Sequence, residues 1–163
     1  MQVTLKGNPV ELEGVQPIID ENAPSFSLQD LKDQQVTLAD QLSKPLIISV
    51  IPDIDTSICA LQTKRFNQEA ATETGINFVT VSNNTKEEQS NWCAAEGVDM
   101  TMLRDSDLEF AKNYGLLIPE MNRLARAIFV VDTTGKLAYV EITSEVSHEP
   151  DYTKALEAAK ALI

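Results

Sequence analysis

Pro45-Leu46-Ile47-Ile48-Ser49-Val50-Ile51-Pro52 is the longest apolar run in the chain, and how it is read decides the fold. It is far short of the roughly 20 residues that a membrane-spanning helix needs. A continuous β-rich apolar run closed by proline is the pattern of a central strand covered on both faces. Directly after it, from Ser57 to about Thr74, the pattern turns helical. Leu61, Phe66 and Ala70 are set among Lys64, Arg65, Gln68 and Glu69, and Gly75 stands where a helix C-cap belongs.

Working outward, strand and helix patterns continue to alternate. Ile76 to Val81 reads as a strand and Thr85 to Ala95 as a helix stopped by Gly97. Asp107 to Tyr114 is a short helix stopped by Gly115. Ala127-Ile128-Phe129-Val130-Val131 is a strand entering the turn Asp132-Thr133-Thr134-Gly135. Lys136 to Thr143 alternates as a half-exposed strand, and Pro150 to Leu162 closes the chain as a helix with proline in its first turn. At the other end, Val3-Thr4-Leu5 and Val10-Glu11-Leu12 flank the turn Gly7-Asn8-Pro9 as a small hairpin. Pro17 to Ser43 reads as irregular. This order implies an α/β sandwich with a mixed sheet. No linker or repeat divides it, so residues 1–163 read as one domain, with 1–16 as an N-terminal hairpin extension.

Composition narrows the partners. Of 163 residues, 43% are hydrophobic, and 13 Lys and Arg stand against 25 Asp and Glu, a formal net charge of −12. So few cations cannot build a phosphate-neutralising face, which argues against nucleic acid and anionic membranes as partners. Met1 to Glu11 has no apolar core of the kind a signal peptide needs, so a cytoplasmic location is expected. In a reducing compartment two cysteines are not expected to form a permanent bridge. Energetics alone do not exclude one, since a loop of this length would contribute about 3–4 kcal/mol.

Cys59 falls in the first turn of the helix after the central strand, with Asp55 or Thr56 as N-cap. Free N–H groups and the helix dipole favour the nucleophilic thiolate there, against the nearby negative charge of Asp55. The ordinary alternative is a buried thiol packed as a small hydrophobe. Cys93, late in the 85–95 helix beside Trp92, has no such activation. Its chemical role would be to condense with a sulfenic acid formed on Cys59, and its ordinary role is core packing. Thr56 could orient a peroxide and Pro52 shield the sulfur, though a cap and a strand terminator are their ordinary roles. Either Arg126 or Arg123 could bring a guanidinium to the site. The cysteine spacing is not Cys-x-x-Cys, two cysteines with one histidine (His148) make no closed zinc site, and no phosphate-binding glycine motif occurs.

Pro52-Asp53-Ile54-Asp55-Thr56-Ser57-Ile58-Cys59 resembles the Pro-x-x-x-Thr-x-x-Cys segment of peroxiredoxins. The resemblance is closest to the bacterial thiol peroxidase subfamily, the atypical two-cysteine peroxiredoxins. It extends through Gly7-Asn8-Pro9-Val10, Ala23-Pro24-Ser25-Phe26, Gln62-Thr63-Lys64-Arg65-Phe66-Asn67, Trp92-Cys93-Ala94-Ala95-Glu96-Gly97, Leu124-Ala125-Arg126-Ala127 and Glu149-Pro150-Asp151-Tyr152. It implies a thioredoxin-like fold, a mixed central sheet flanked by helices, with an N-terminal hairpin. It implies Cys59 as peroxidatic nucleophile, Cys93 as resolving cysteine of the same chain, and Pro52, Thr56 and Arg126 around the sulfur. It also implies a hydroperoxide substrate, thioredoxin or a similar dithiol as reductant, a homodimer, and no cofactor. One stretch departs from the subfamily. Asn84-Thr85-Lys86-Glu87-Glu88-Gln89 replaces a Leu-Pro-Phe-Ala-Gln-like segment and is much more polar, which bears on how the Cys93 helix packs and moves. A peroxide sensor passing oxidation to a partner, and a thioredoxin-like module with inert cysteines, are the competing classes.

Overall fold

The computed structural model describes all 163 residues. The chain runs β1 (Gln2–Leu5), β2 (Asn8–Glu11), β3 (Ser27–Gln29), β4 (Gln35–Thr37), β5 (Leu46–Val50), α1 (Ser57–Thr72), β6 (Asn77–Ser82) and α2 (Lys86–Glu96). It continues through β7 (Thr101–Arg104), α3 (Glu109–Asn113), β8 (Leu117–Ile118), β9 (Arg123–Leu124), β10 (Ala127–Val131), β11 (Leu137–Ile142) and α4 (Tyr152–Lys160). Seven strands form a mixed sheet in the order β11-β10-β5-β6-β7-β3-β4. β5, β6 and β7 are parallel, and β10 joins β5 antiparallel. This is the expected thioredoxin-like α/β arrangement, and β1 and β2 form the expected antiparallel hairpin.

Every residue of β5 is buried, which is why it shows as an unbroken apolar run. Its side chains alternate between two cores. Leu46, Ile48 and Val50 pack with Phe110 of α3 and Val3 and Val10 of the hairpin. Ile47 packs on the opposite face with Phe66 of α1 and Ala155, Leu156 and Ala159 of α4. Past the strand end, Ile51 joins Ile54, Cys59, Trp92, Cys93, Val98 and Met102 in a third cluster beneath α2. The two cysteines therefore share one small apolar cluster while lying on different helices.

Several sequence expectations need correction. The stretch 17–43 is not wholly irregular: it holds β3 and β4, which pair with each other, and β3 meets β7 through Gln29 and Arg104. Three-residue strands are too short to display alternation. α1 ends at Thr72 with Glu73 as C-cap, so Gly75 is not the cap. A Cβ on Gly75 would lie 2.9 Å from Ile163 Cδ1, so its smallness lets the C-terminus approach. Pro150 precedes α4, whose N-cap is Asp151. The end of α2 is as expected, with Gly97 left-handed at φ 66°.

Candidate active site

The register of the sheet assembles the site. Ala127 pairs with Val50, so the backbone of Arg126 lies opposite the exit of β5, where the chain turns through residues 52–56 into α1. The Arg126 guanidinium is almost fully buried, and each of its three nitrogens makes one hydrogen bond. Nε donates to the carbonyl of Val146 at 2.8 Å, Nη1 to Gln62 Oε1 at 2.9 Å, and Nη2 to Cys59 Sγ at 3.3 Å. Arg123, the competitor, belongs to β9 and also lines the cleft above the site, but its guanidinium is engaged by Asp53 at 3.6 Å and Asn83 at 3.1 Å and makes no bond to the sulfur.

Gln62 and Ser49 are site residues that the sequence reading missed. Gln62 is fully buried one turn beyond Cys59. It donates to Ser49 Oγ at 2.8 Å and to the Val50 carbonyl at 3.3 Å while accepting from Arg126. A lone serine inside the apolar 45–52 run, facing a glutamine three residues after the cysteine, was the available signal. Buried polar groups need such partners, because an unpaired one costs about 1–3 kcal/mol.

The loop before α1 is held by its own backbone. Thr56 occupies the N-cap position, but its side chain does not cap. Its hydroxyl donates instead to the Asp53 carbonyl at 2.8 Å, and its amide reaches the same oxygen at 3.1 Å. The first-turn amides of α1 thus have no side-chain acceptor, the arrangement that favours a negative charge nearby. Asp55 is exposed, and its amide donates to Asp53 Oδ1.

A cleft of about 300 Å³ opens over this region, lined by Pro52, Thr56, Ile58, Met121 and Arg126 among others. Pro52, Thr56 and Arg126 are thus brought to one cavity, with Arg126 linking it to the Cys59 sulfur. That sulfur is fully buried behind the cleft wall. Cys93 is not in the cleft. It is unbonded and buried, and desolvation together with the nearby negative charge of Asp99 pushes its thiol above the ordinary range. His148 is exposed, and no group of three or more His, Cys, Asp or Glu residues is placed to hold a metal ion.

The frame and the buried sulfur–guanidinium pair define a class: a thioredoxin-like fold carrying a cysteine site at the start of its first long helix. The AhpC/TSA family model matches residues 19–140. The chain is 42% identical over 164 residues to a thiol peroxidase of Bacillus subtilis strain 168, covering 99% of this chain and 98% of that protein. It is 44% identical to a thiol peroxidase of Staphylococcus aureus strain Mu50, covering 98% of each. Among solved structures, a peroxiredoxin-like protein from Aquifex aeolicus superposes with a TM-score of 0.93 at 31% identity, covering 99% of this chain and 97% of that one. A thiol peroxidase from Chromobacterium violaceum gives 0.87 at 18% identity over 99% and 96% of the two chains, a likeness of fold. The chain belongs to the AhpC/TSA family.

Proposed function

We propose that this chain is a thiol-dependent peroxidase of antioxidant defence, working through Cys59 and Cys93. The observation that carries the reading is the Arg126 guanidinium, which donates to Cys59 Sγ while lining the cleft. Full-length similarity to thiol peroxidases supports the same reaction class.

In the first step the Cys59 thiolate attacks the terminal oxygen of a hydroperoxide and the O–O bond breaks. The terminal O–H passes to sulfur, so Cys59 becomes a sulfenic acid, and the leaving oxygen takes a proton from solvent and departs as water or an alcohol. The Thr56 hydroxyl, spending its proton on the Asp53 carbonyl, turns its lone pairs outward to accept from the hydroperoxide O–H. Arg126 stabilises charge on the sulfur and on the leaving oxygen. Pro52, buried at the cleft, keeps water from the sulfur. The Cys93 thiol then displaces water from the sulfenic acid to form an intramolecular disulfide, as in the atypical two-cysteine type. An external dithiol, thioredoxin or one like it, reduces that disulfide by exchange. The reaction needs no metal or organic cofactor. The chain acts as one domain in the cytoplasm, the reading its linker-free sequence and polar N-terminal stretch support, and as a homodimer, in keeping with the family resemblance.

The test is time-resolved intact mass of the reduced protein after one equivalent of hydroperoxide, with Cys93→Ser alongside. The expected result is rapid loss of two hydrogens in the parent and gain of one oxygen in the variant. Slow or absent oxidation at equimolar peroxide would overturn the peroxidase reading. Oxidation that thioredoxin, its reductase and NADPH fail to reverse would overturn the reductant assignment alone.

A further inference from the structure

We infer that Asn84 is a positioning residue for the peroxide site, acting on Thr56 through the backbone of residues 53–54; the inference rests on the peroxidase reading. Asn84 belongs to the polar 84–89 stretch, directly before Thr85, the N-cap of α2. The stretch looks like a solvated surface in the sequence, yet Asn84 is almost fully buried. Its amide bridges two elements. Oδ1 accepts from the Ile54 backbone amide at 2.9 Å, and Nδ2 donates to Asp53 Oδ1 at 3.0 Å.

Those two bonds fix the peptide on either side of the Asp53 carbonyl, the acceptor for both the amide and the hydroxyl of Thr56. The direction of the Thr56 lone pairs therefore follows the plane of that peptide. Asp53 is held further by the Asp55 amide at 3.1 Å and by Arg123 at 3.6 Å, and Arg123 is itself held by Asn83. No carboxylate would serve equally at position 84. Beside Asp53 it would set two negative oxygens face to face, whereas the carboxamide offers one acceptor to the amide and one donor to the acid. The residue touches neither sulfur nor cleft and acts only through its neighbours. Residues 83 and 84 thus let the segment leading into the Cys93 helix brace the loop leading into the Cys59 helix.

The test uses the Cys93→Ser background, so that only the first oxidation is read. It compares Asn84→Ala, Asn84→Asp and the exchange pair Asp53→Asn with Asn84→Asp. The exchange pair removes the facing carboxylates and restores the bridge with reversed polarity: the new carboxylate accepts from Ile54 and from the new carboxamide, while the Asp55 amide loses the oxygen it donated to. The peroxide rate of both single variants should fall about ten- to a hundredfold, the scale on which misplacing one reacting group acts. Alkylation of Cys59 by iodoacetamide should change by less than about twofold, since it needs the sulfur but not Thr56. The exchange pair should be faster than Asn84→Asp while staying below the parent, since the Asp55 amide and Arg123 lose their carboxylate partner. Unaltered peroxide rates in the single variants would overturn the inference. So would alkylation rates that change as much as the peroxide rates, in either direction, which would mark a merely structural loosening around the buried sulfur, or an exchange pair no faster than Asn84→Asp alone. Failure of the Cys93→Ser parent itself to react would overturn the peroxidase reading, and this inference with it.

Discussion

Replacing Arg126 by methionine, in the Cys93→Ser background, keeps the side-chain stem and removes every donor. The guanidinium makes three hydrogen bonds, to Cys59 Sγ, Gln62 Oε1 and the Val146 carbonyl. A bond to a charged partner contributes about 1.5–3 kcal/mol. At 1.36 kcal/mol per decade, losing the one to sulfur slows peroxide attack about 10- to 150-fold. Stability responds differently, because two effects oppose each other. Gln62 Oε1 and the Val146 carbonyl lose their donor, at about 1–3 kcal/mol each, but a buried cation and its desolvation penalty are also removed. The rate is therefore the diagnostic quantity and the melting temperature only a control. Arg126→Lys keeps the charge but cannot make three bonds in a planar fork, so its rate falls between parent and methionine variant. The assay is quenched-flow intact mass under excess hydroperoxide, following addition of oxygen to Cys59. A rate for Arg126→Met within about twofold of the parent, the size of effect that indifferent surface changes give, would refute the argument.

Thr56→Val keeps the shape of the side chain without the hydroxyl and should lower the peroxide rate about tenfold or more, while Thr56→Ser stays near the parent; equal rates in all three would remove Thr56 from the site. Burial and Asp99 raise the Cys93 thiol, so at neutral pH it is protonated, and its nucleophilic thiolate grows as pH rises. Single-turnover disulfide formation should therefore accelerate through and above the usual thiol range near ~8.5, and Asp99→Asn should move that rise to lower pH; a flat profile would contradict it. Amide exchange at the start of α1 and around Cys93 should be faster in one redox form than the other, because both sulfurs are buried on separate helices and must move to meet. Identical exchange in dithiol and disulfide protein would contradict local opening.

Legibility followed the range of the interactions. β5 and α1 could be read because a strand buried on both faces and a long helix each leave a local signature, and α2 because Gly97 marks its end. β3, β4 and β7 left none: with three or four residues apiece, they owe their existence to neighbouring strands. Pro52, Thr56 and Cys59 are close in sequence and form a motif. Arg126 reaches Cys59 only through the pairing of Ala127 with Val50, a register that periodicity could not supply, so it could not be preferred to Arg123 without the family resemblance. The polar 84–89 stretch misleads for a related reason. Thr85 and Glu88 do form an exposed capping box, but Asn84 and Gln89 turn inward to partners on other elements.

That division within 84–89 bears on how Cys93 can move without dismantling the site. The N-terminal half of α2 is fastened by directional bonds: the capping box, Asn84 to residues 53–54, and Gln89 to Ser82 Oγ and the Leu103 carbonyl. The half that carries Cys93 has no comparable hold. It rests on the small cluster of Trp92, Cys93, Val98, Met102 and their neighbours, and on a half-exposed Lys64–Glu96 pair of the kind that contributes little. Apolar contacts in a small cluster are non-directional and can be exchanged for new ones, whereas buried polar bonds are costly to leave unmade. Opening should therefore begin at the Gly97 end and stop near Gln89. Cys93 can then travel toward Cys59, and the first turn of α1 loosen to meet it, while Asn84 keeps its grip on residues 53–54, so that reduction of the disulfide returns both helices to a loop already in place.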